Sequence, residues 1–261
     1  MRWLALLAAS AAVVAQVSFA QLPPPNDAGV SMGHIHITVP DPDAQIKAWK
    51  DVLGVTATPE GWIKLPGIFV IVTKAATATE GSDGSTANHI GFLVKDYAAL
   101  KGRLAAANIP TVFDLEKNKQ IMVTFPDKIR VEFNEEPSLS EPVVFHHIHL
   151  TTTDPDALQA WYVKTFGAQA ATRRNLPAAK IPGGEVDFLK AKDAPAPTKG
   201  RTLDHIGFEI KDLEAFCKKL EADGTKFDVP LRDVPNRGLK IAFIIDPVGT
   251  RIELTQGLAG R

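Results

Sequence analysis

The seven histidines of this 261-residue chain are the residues whose type and placement best indicate chemistry. All of them lie at the starts of short segments in which apolar and polar residues alternate, a pattern typical of β-strands. Neutral imidazole is the commonest metal ligand among protein side chains, so this grouping favours metal binding over seven unrelated structural roles. The histidines are His34, His36, His89, His146, His147, His149 and His205.

Two glutamates can supply the carboxylate that such a metal site needs. Glu132 lies in the sequence Arg-Val-Glu-Phe, and Glu253 lies in the matching sequence Arg-Ile-Glu-Leu. On a strand, each would face away from the layer that its apolar neighbours contact. A buried carboxylate is costly unless it is paired, and either a metal ion or a nearby arginine would pair it. Two histidines and one glutamate suit Fe²⁺ and are compatible with Mn²⁺, Zn²⁺ or Ni²⁺.

The histidines belong to an internal repeat of four units. The sequence HIHIT at residues 34–38 recurs as HIHLT at 147–151, and HIGF at 89–92 recurs at 205–208. In each unit an aspartate and an amphipathic helix follow the first strand, and β-rich runs follow the helix. For the first helix, Asp41 or Asp43 can be the N-terminal cap. The units start near Gly33, Asn88, His146 and Asp204.

Each unit is predicted to be β-α-β-β-β, which makes the fold class α+β. A unit of about 50 residues buries little apolar surface alone, so the units should pair. The proline-containing stretch at 137–142 suits a linker, which suggests pairing within each half. We therefore predict a flexible lead at residues 21–30, a first domain at 31–137 and a second at 143–257. Each domain would hold one metal site, where three strands from two paired units converge.

These features resemble the vicinal oxygen chelate superfamily, which includes glyoxalase I, extradiol dioxygenases and bleomycin-resistance proteins. The resemblance covers residues 33–256 and is carried by DHIGF at 204–208 and DPVGTRIEL at 246–254. It implies four βαβββ units paired into two domains with cupped mixed sheets around a divalent metal. The implied ligands are His147, His205 and Glu253 in the second domain, and His34, His89 and Glu132 in the first.

The resemblance also marks positions around the metal. Glyoxalase-type members usually have a fourth protein ligand, which falls at Asp187 in the second domain and at Ile71, which cannot bind metal, in the first. His36 and His149 lie two residues after a predicted ligand and therefore on the same strand face. Both are candidate catalytic acid–base residues, and His149 is the favoured base, because the reference pKa of about 6.5 for histidine suits proton transfer near neutral pH. A purely structural role is the alternative. His146 should face the opposite side and be structural.

Extradiol dioxygenases carry an acid–base pair, a tyrosine and a histidine, before the last ligand. Phe243 stands at the tyrosine position, and no histidine occurs between His205 and Glu253. Ring cleavage needs general acid–base groups, so these residues argue against a dioxygenase of the usual kind.

The N-terminal residues predict export. Arg2 precedes an apolar run over residues 3–17, and Ser18-Phe19-Ala20 resembles a cleavage site, so residues 1–20 are a predicted signal peptide. A membrane anchor is the alternative, but the run is shorter than the ~20 residues that span a bilayer. The mature protein should start at Gln21 and be periplasmic or secreted.

The whole-chain properties narrow the function further. A net charge of −1 gives no sign of nucleic-acid or membrane binding. Cys217 is the only cysteine and lies on the apolar face of a predicted helix, so it should be buried and unreactive. We predict an exported, divalent-metal-dependent enzyme, a glyoxalase-like lyase or isomerase that applies Lewis-acid or proton-transfer chemistry to a small oxygenated organic substrate. It would act as a monomer or homodimer. The alternatives are an extradiol-type dioxygenase and a non-catalytic binding or resistance protein.

Overall fold

The computed structural model describes residues 22–77, 80–259 and 261, so the predicted signal peptide lies outside the described residues. The described residues form two mixed β-sheets and four α-helices, which confirms the predicted α+β class. The helices are Pro42–Leu53 (α1), Tyr97–Ala106 (α2), Pro155–Phe166 (α3) and Leu213–Ala222 (α4).

The strands are divided between a seven-stranded and an eight-stranded sheet. In chain order they are Val30–Val39 (β1), Trp62–Leu65 (β2), Ile68–Lys74 (β3), Ala87–Val94 (β4), Thr111–Leu115 (β5), Gln120–Phe125 (β6), Ile129–Glu135 (β7), Val143–Thr152 (β8), Gln169–Arg173 (β9), Leu176–Ile181 (β10), Gly184–Lys190 (β11), Leu203–Ile210 (β12), Phe227–Val234 (β13), Leu239–Ile245 (β14) and Arg251–Gln256 (β15). The seven-stranded sheet has the order β13-β14-β15-β12-β1-β3-β2. The eight-stranded sheet has the order β5-β6-β7-β4-β8-β11-β10-β9.

The predicted repeat is present in the structure. The second, third and fourth units are βαβββ. In the described part of the first unit, two strands follow the helix, and an isolated bridge between Ala57 and Ile63 stands in place of a third.

An aspartate caps the start of each α-helix. The side chains of Asp41, Asp96, Asp154 and Asp212 each accept a hydrogen bond from the backbone N–H three residues later. Such a cap satisfies one of the free N–H groups of the first turn and contributes about 1 kcal/mol. Of the two caps predicted for the first helix, Asp41 is the one used.

The sheets pair the units differently from the prediction. β1 runs antiparallel to β12, so the first unit shares a sheet with the fourth. β4 runs antiparallel to β8, so the second unit shares a sheet with the third. Each sheet therefore takes strands from both predicted ranges, 31–137 and 143–257. The predicted pairing within each half is wrong for the sheets.

Units of the same half meet instead through their helices. α1 packs against α2, and Trp49 of α1 contacts the rings of Phe92 in β4 and Phe125 in β6, with ring centroids 5.6 and 4.8 Å away. In the other half, Phe166 of α3 contacts Phe208 of β12 at 4.5 Å. One cluster of buried apolar residues consequently extends over both sheets.

Cys217 lies on the buried face of α4, as predicted. Burial raises the pKa of its thiol to about 11, which keeps it protonated near neutral pH and poorly nucleophilic. Among the described residues, none of the helices is both long enough and apolar enough to cross a membrane.

We expect the half chain 22–137 not to fold as a monomer. Without the second half, β1 lacks β12 and β4 lacks β8, so both sheets expose unpaired central strands. Size-exclusion chromatography and circular dichroism should show aggregation or the loss of a cooperative thermal transition. Co-expression with residues 143–261 should restore an equimolar complex that melts like the intact chain. A folded monomer of 22–137 would contradict the crosswise pairing.

Candidate metal centres

Two groups of histidines lie on the sheet faces opposite the shared core. On β1, Ile35 and Ile37 are buried in the core, and because side chains alternate along a strand, His34 and His36 face the other side. We call His34, His36, His205 and Glu253 the first cluster. We call His89, His147 and His149, with the neighbouring Glu132, the second cluster.

In the first cluster, two imidazoles converge on one carboxylate. Nε2 of His34 and Nε2 of His205 each lie 2.9 Å from Oε2 of Glu253. His36 lies directly opposite His205 across the β1–β12 pairing, and all four residues offer ligand atoms within 4.8 Å of one another. The site therefore needs β1, β12 and β15 side by side.

A glycine in each cluster makes room for a histidine. Gly207 lies opposite His34, and a Cβ atom at this position would lie 2.1 Å from Cε1 of the His34 ring. Gly91 likewise lies opposite His147, and a Cβ atom at Gly91 would lie 1.9 Å from Cε1 of the His147 ring. A side chain at either position would displace the imidazole from its cluster.

Charged neighbours orient His205. Its Nδ1 lies 2.6 Å from Oδ1 of Asp204, and Arg251 donates to the same oxygen at 3.0 Å. A carboxylate on the outer nitrogen is the usual way in which a metal-binding histidine is fixed with its other nitrogen facing the metal. Burial alone would lower the pKa of His205, but Asp204 and Glu253 raise it above its ordinary value. Burial would likewise raise the pKa of Glu253, whereas His34 and His205 hold it below its usual range.

These donors fit a divalent cation. Two imidazole nitrogens and a carboxylate oxygen lie within 4.8 Å of one another, and three protein ligands leave other coordination positions open. His36 is a further group beside them. Its Nε2 lies 2.9 Å from Oγ1 of Thr73, and its Nδ1 has no hydrogen-bond partner among the described residues. Burial, together with repulsion from His205 and His34, lowers the pKa of His36 well below its ordinary value.

The ligand sets implied by the resemblance are wrong in their grouping, because they assumed that units pair within each half. The structure exchanges His34 and His147 between the two predicted sets. His34 lies with His205 and Glu253, and His147 lies with His89 and Glu132. All six residues do lie in the two clusters. Their role as metal ligands stays a prediction.

The second cluster has equivalent histidines but a looser arrangement around its carboxylate. Oε2 of Glu132 lies 3.4 Å from Nε2 of His89, and Oε1 lies 3.9 Å from Nε2 of His147. Asn134 donates a hydrogen bond of 2.6 Å to Oε1 of Glu132. A neutral amide, Asn88, lies against Nδ1 of His89 at 2.9 Å, where the first cluster has the carboxylate of Asp204.

The second cluster also contains an arginine that was not predicted from the sequence. Arg173, at the end of β9, donates from Nη1 to Oδ2 of Asp187 at 2.7 Å, and the same nitrogen lies 3.3 Å from Nε2 of His149. Its Nε lies 3.3 Å from Oε1 of Glu185, and its Nη2 lies 3.7 Å from Oε1 of Glu132. Asp187, the proposed fourth ligand, is thus paired with Arg173 and His149. No sequence motif marks Arg173, because only the folding of the β9–β10 hairpin brings it here.

His146 is part of the second cluster's surroundings. Its Nδ1 lies 2.9 Å from Nδ1 of His147, and its Nε2 lies 3.9 Å from Oε1 of Glu185. Burial and the nearby Arg173 lower the pKa of His146 to about 4, so its ring is neutral near neutral pH.

The first cluster opens into a cavity of about 230 Å³. Its walls combine six apolar side chains with seven polar or charged ones. The lining comprises His34, His36, Glu60, Trp62, Ile71, Thr73, Val234, Arg237, Leu239, Ile241, Glu253, Thr255 and Leu258.

We expect the first cluster to bind about one divalent ion per chain. His34→Ala, His205→Ala and Glu253→Gln should each lose this ion, because an incomplete ligand set binds metal weakly. Gly207→Ala should weaken binding by displacing His34. Elemental analysis after dialysis measures the ion. The matched control is Gly91→Ala, which creates the same clash in the second cluster and should retain it. Wild-type metal content in both His205→Ala and Glu253→Gln would refute the assignment.

The chain is similar to proteins of one superfamily. Residues 144–254 match the model of the Glyoxalase/Bleomycin resistance protein/Dioxygenase superfamily. A lactoylglutathione lyase from Pseudomonas aeruginosa is 34% identical over 103 residues, which are 39% of this chain and 53% of that protein. The chain therefore matches only about half the length of this curated relative.

Solved structures of low sequence identity share the fold over nearly the whole chain. Glyoxalase I from Zea mays superposes with a TM-score of 0.67 at 16% identity, covering 88% of this chain and 94% of that one. A Bacillus subtilis protein proposed to be a dioxygenase superposes with a TM-score of 0.66 at 16% identity, covering 92% and 88%. The match to this superfamily thus covers residues 144–254, and the fold that the chain shares with glyoxalase I extends over nearly its whole length.

Proposed function

We propose that this protein is a metal-dependent enzyme, a glyoxalase-like isomerase or lyase that acts on a small oxygenated organic substrate at the first cluster. The observation that carries this proposal is the convergence of His34 and His205 on Glu253, beside a cavity that His34, His36 and Glu253 line. The similarity to a lactoylglutathione lyase supports the reaction class. The donor set suits Fe²⁺ and is compatible with Mn²⁺, Zn²⁺ or Ni²⁺.

A bound divalent ion would supply Lewis-acid polarisation of a substrate carbonyl and stabilise a developing enolate or oxyanion. The protein's part is to hold that ion with His34, His205 and Glu253, and to move a proton beside it. His36 is the stronger candidate for proton transfer. It lines the cavity, Thr73 holds its ring through Nε2, and Nδ1 has no partner in the described part of the chain.

His149, the equivalent residue of the second cluster, is the candidate base that the sequence favours over His36. Its Nε2 lies within 3.3 Å of both Asp187 and Arg173, so this nitrogen is already engaged. The two histidines therefore differ in their freedom to exchange a proton with a substrate, and we assign that role to His36.

The cavity favours a small substrate. Its volume of about 230 Å³ is below the roughly 300–1,000 Å³ of ordinary ligand pockets. Ile71 and Leu239 provide an apolar wall for the part of the substrate that does not reach the cluster. The predicted export also argues against a substrate that contains glutathione, because small cytosolic thiols of this kind are scarce outside the cytoplasm.

An extradiol-type dioxygenase is the second candidate, and Phe243 argues against it. Phe243 lies opposite Glu253 across β14 and β15, and its ring meets the His205 ring edge-on at 5.1 Å. A phenyl ring at this place cannot donate or accept the protons that ring cleavage needs. A non-catalytic binding protein is the third candidate, and the metal-type donors of the first cluster argue against it.

The proposed reaction can be tested by proton NMR in D₂O. Metal-free protein reloaded with one divalent ion at a time should convert small α-hydroxycarbonyl compounds or exchange their α-protons. Glu253→Gln should abolish this activity. His36→Ala should reduce it about 100-fold, the size of a general acid–base contribution, with metal content retained. His149→Ala is the matched control and should have little effect.

Two results would overturn the proposal. Oxygen consumption with catechols in the Fe²⁺-loaded protein would make the dioxygenase the better assignment. Tight binding of the test compounds, with no metal-dependent conversion or exchange of any of them, would favour a binding protein.

We also propose that the protein is exported, from the pattern of Arg2, the apolar run at 3–17 and Ala20. The protein isolated from its native cell envelope or medium should begin at Gln21. N-terminal sequencing measures this directly. A soluble cytoplasmic product that retains Met1 would show the proposal to be wrong.

A further inference from the structure

We propose that the second cluster is closed to metal by the guanidinium of Arg173, so that the wild-type chain binds one ion, at the first cluster. The superfamily fold implies a metal position in each sheet, but the residues of the second cluster do not fit a divalent ion while Arg173 is in place. The proposal concerns the second cluster and goes beyond the function proposed for the first.

Arg173 partly balances the charge of three buried carboxylates in and around the second cluster. The side chains of Glu132, Asp187 and Glu185 are only 5%, 0% and 10% exposed, and that of Arg173 is 14% exposed. Buried carboxylates need a compensating cation. Nitrogens of Arg173 lie 2.7 to 3.7 Å from oxygens of all three carboxylates, so part of the positive charge that a metal would provide is already present.

Donor atoms on Asp187, His149 and Glu132 are already engaged, whereas Nε2 of His89 and of His147 have no hydrogen-bond partner among the described residues. Oδ2 of Asp187 and Nε2 of His149 lie 3.0 Å apart and both adjoin Nη1 of Arg173. Oε1 of Glu132 accepts from Asn134, and Arg174 holds the oxygen of that amide at 3.2 Å. In the first cluster, by contrast, Oε2 of Glu253 faces two histidine nitrogens at equal distance.

The hairpin that carries Arg173 in the third unit is longer than its counterpart in the first unit. In the third unit, eight residues separate the paired residues Ala170 and Ala179, and Arg173 lies next to the turn between them. In the first unit, only five residues separate the bridged residues Ala57 and Ile63, and Glu60 lies at the centre of this shorter loop. The longer hairpin brings a cation to the second cluster, whereas the shorter one leaves an exposed carboxylate near the mouth of the first cavity.

Removal of Arg173 should turn the second cluster into a metal site. Loss of one partner leaves the buried carboxylates uncompensated beside three histidines, and an added cation would stabilise them. Purified metal-free protein titrated with Co²⁺ gives the count from the visible absorption bands and from elemental analysis. We expect about one ion per chain for the wild type and about two for Arg173→Met. Arg103→Met is the matched control: Arg103 lies on α2 and donates to the backbone carbonyl of Val52, away from both clusters, so this variant should bind as many ions as the wild type.

The location of each ion follows from a second set of variants. His147→Ala should leave the wild-type count unchanged, and His205→Ala should abolish it. In the Arg173→Met background, His147→Ala should remove only the added ion.

A wild-type chain that binds two ions and loses one in His147→Ala would overturn the proposal. A folded Arg173→Met that still binds one ion would also overturn it. If Arg173→Met does not fold, the wild-type and His147→Ala counts still decide the question. None of these counts depends on the enzyme's activity.

Discussion

The antiparallel pairing of β1 with β12 is the constraint on which the candidate active site depends. Its register places His36 opposite His205 and His34 opposite Gly207, so the two histidines proposed as ligands come from the first and fourth units. β15, parallel to β12, then adds Glu253 beside Gly207. A shift of β1 by one residue would turn His34 and His36 toward the apolar core and away from His205 and Glu253, because side chains alternate along a strand.

The same register recurs between β4 and β8, yet the two clusters have diverged in charge. Both have a glycine that admits one histidine and a glutamate on a neighbouring strand. The first cluster has a carboxylate behind its histidine and an open cavity in front. The second has an amide behind its histidine, at Asn88, and a guanidinium in front, at Arg173. One backbone arrangement therefore supports two kinds of electrostatic site.

The shared core explains how both clusters can exist in one chain. The helices and the apolar sheet faces form one buried cluster, in which Trp49 and Phe166 link each half's helix to a strand of the other sheet. Each sheet thus buries one face and leaves the opposite face available for polar side chains. The stability of the core comes mainly from apolar burial, so the polar faces can carry closely spaced histidines and carboxylates.

Much of this protein is determined by its sequence alone. The four repeats, the period-two pattern of HIHIT and HIGF, the capping aspartates and the two glutamates between apolar residues are local features, and they predicted the α+β class and all six residues of the proposed ligand sets. Local patterns fix which face a side chain occupies, since that follows from the strand's own geometry. They do not fix which strand lies beside which, because all four units begin with similar strands. The choice among these partners depends on how the helices of adjacent units pack. Tertiary structure alone therefore joined His34 to His205 and placed Arg173 among the histidines of the second cluster.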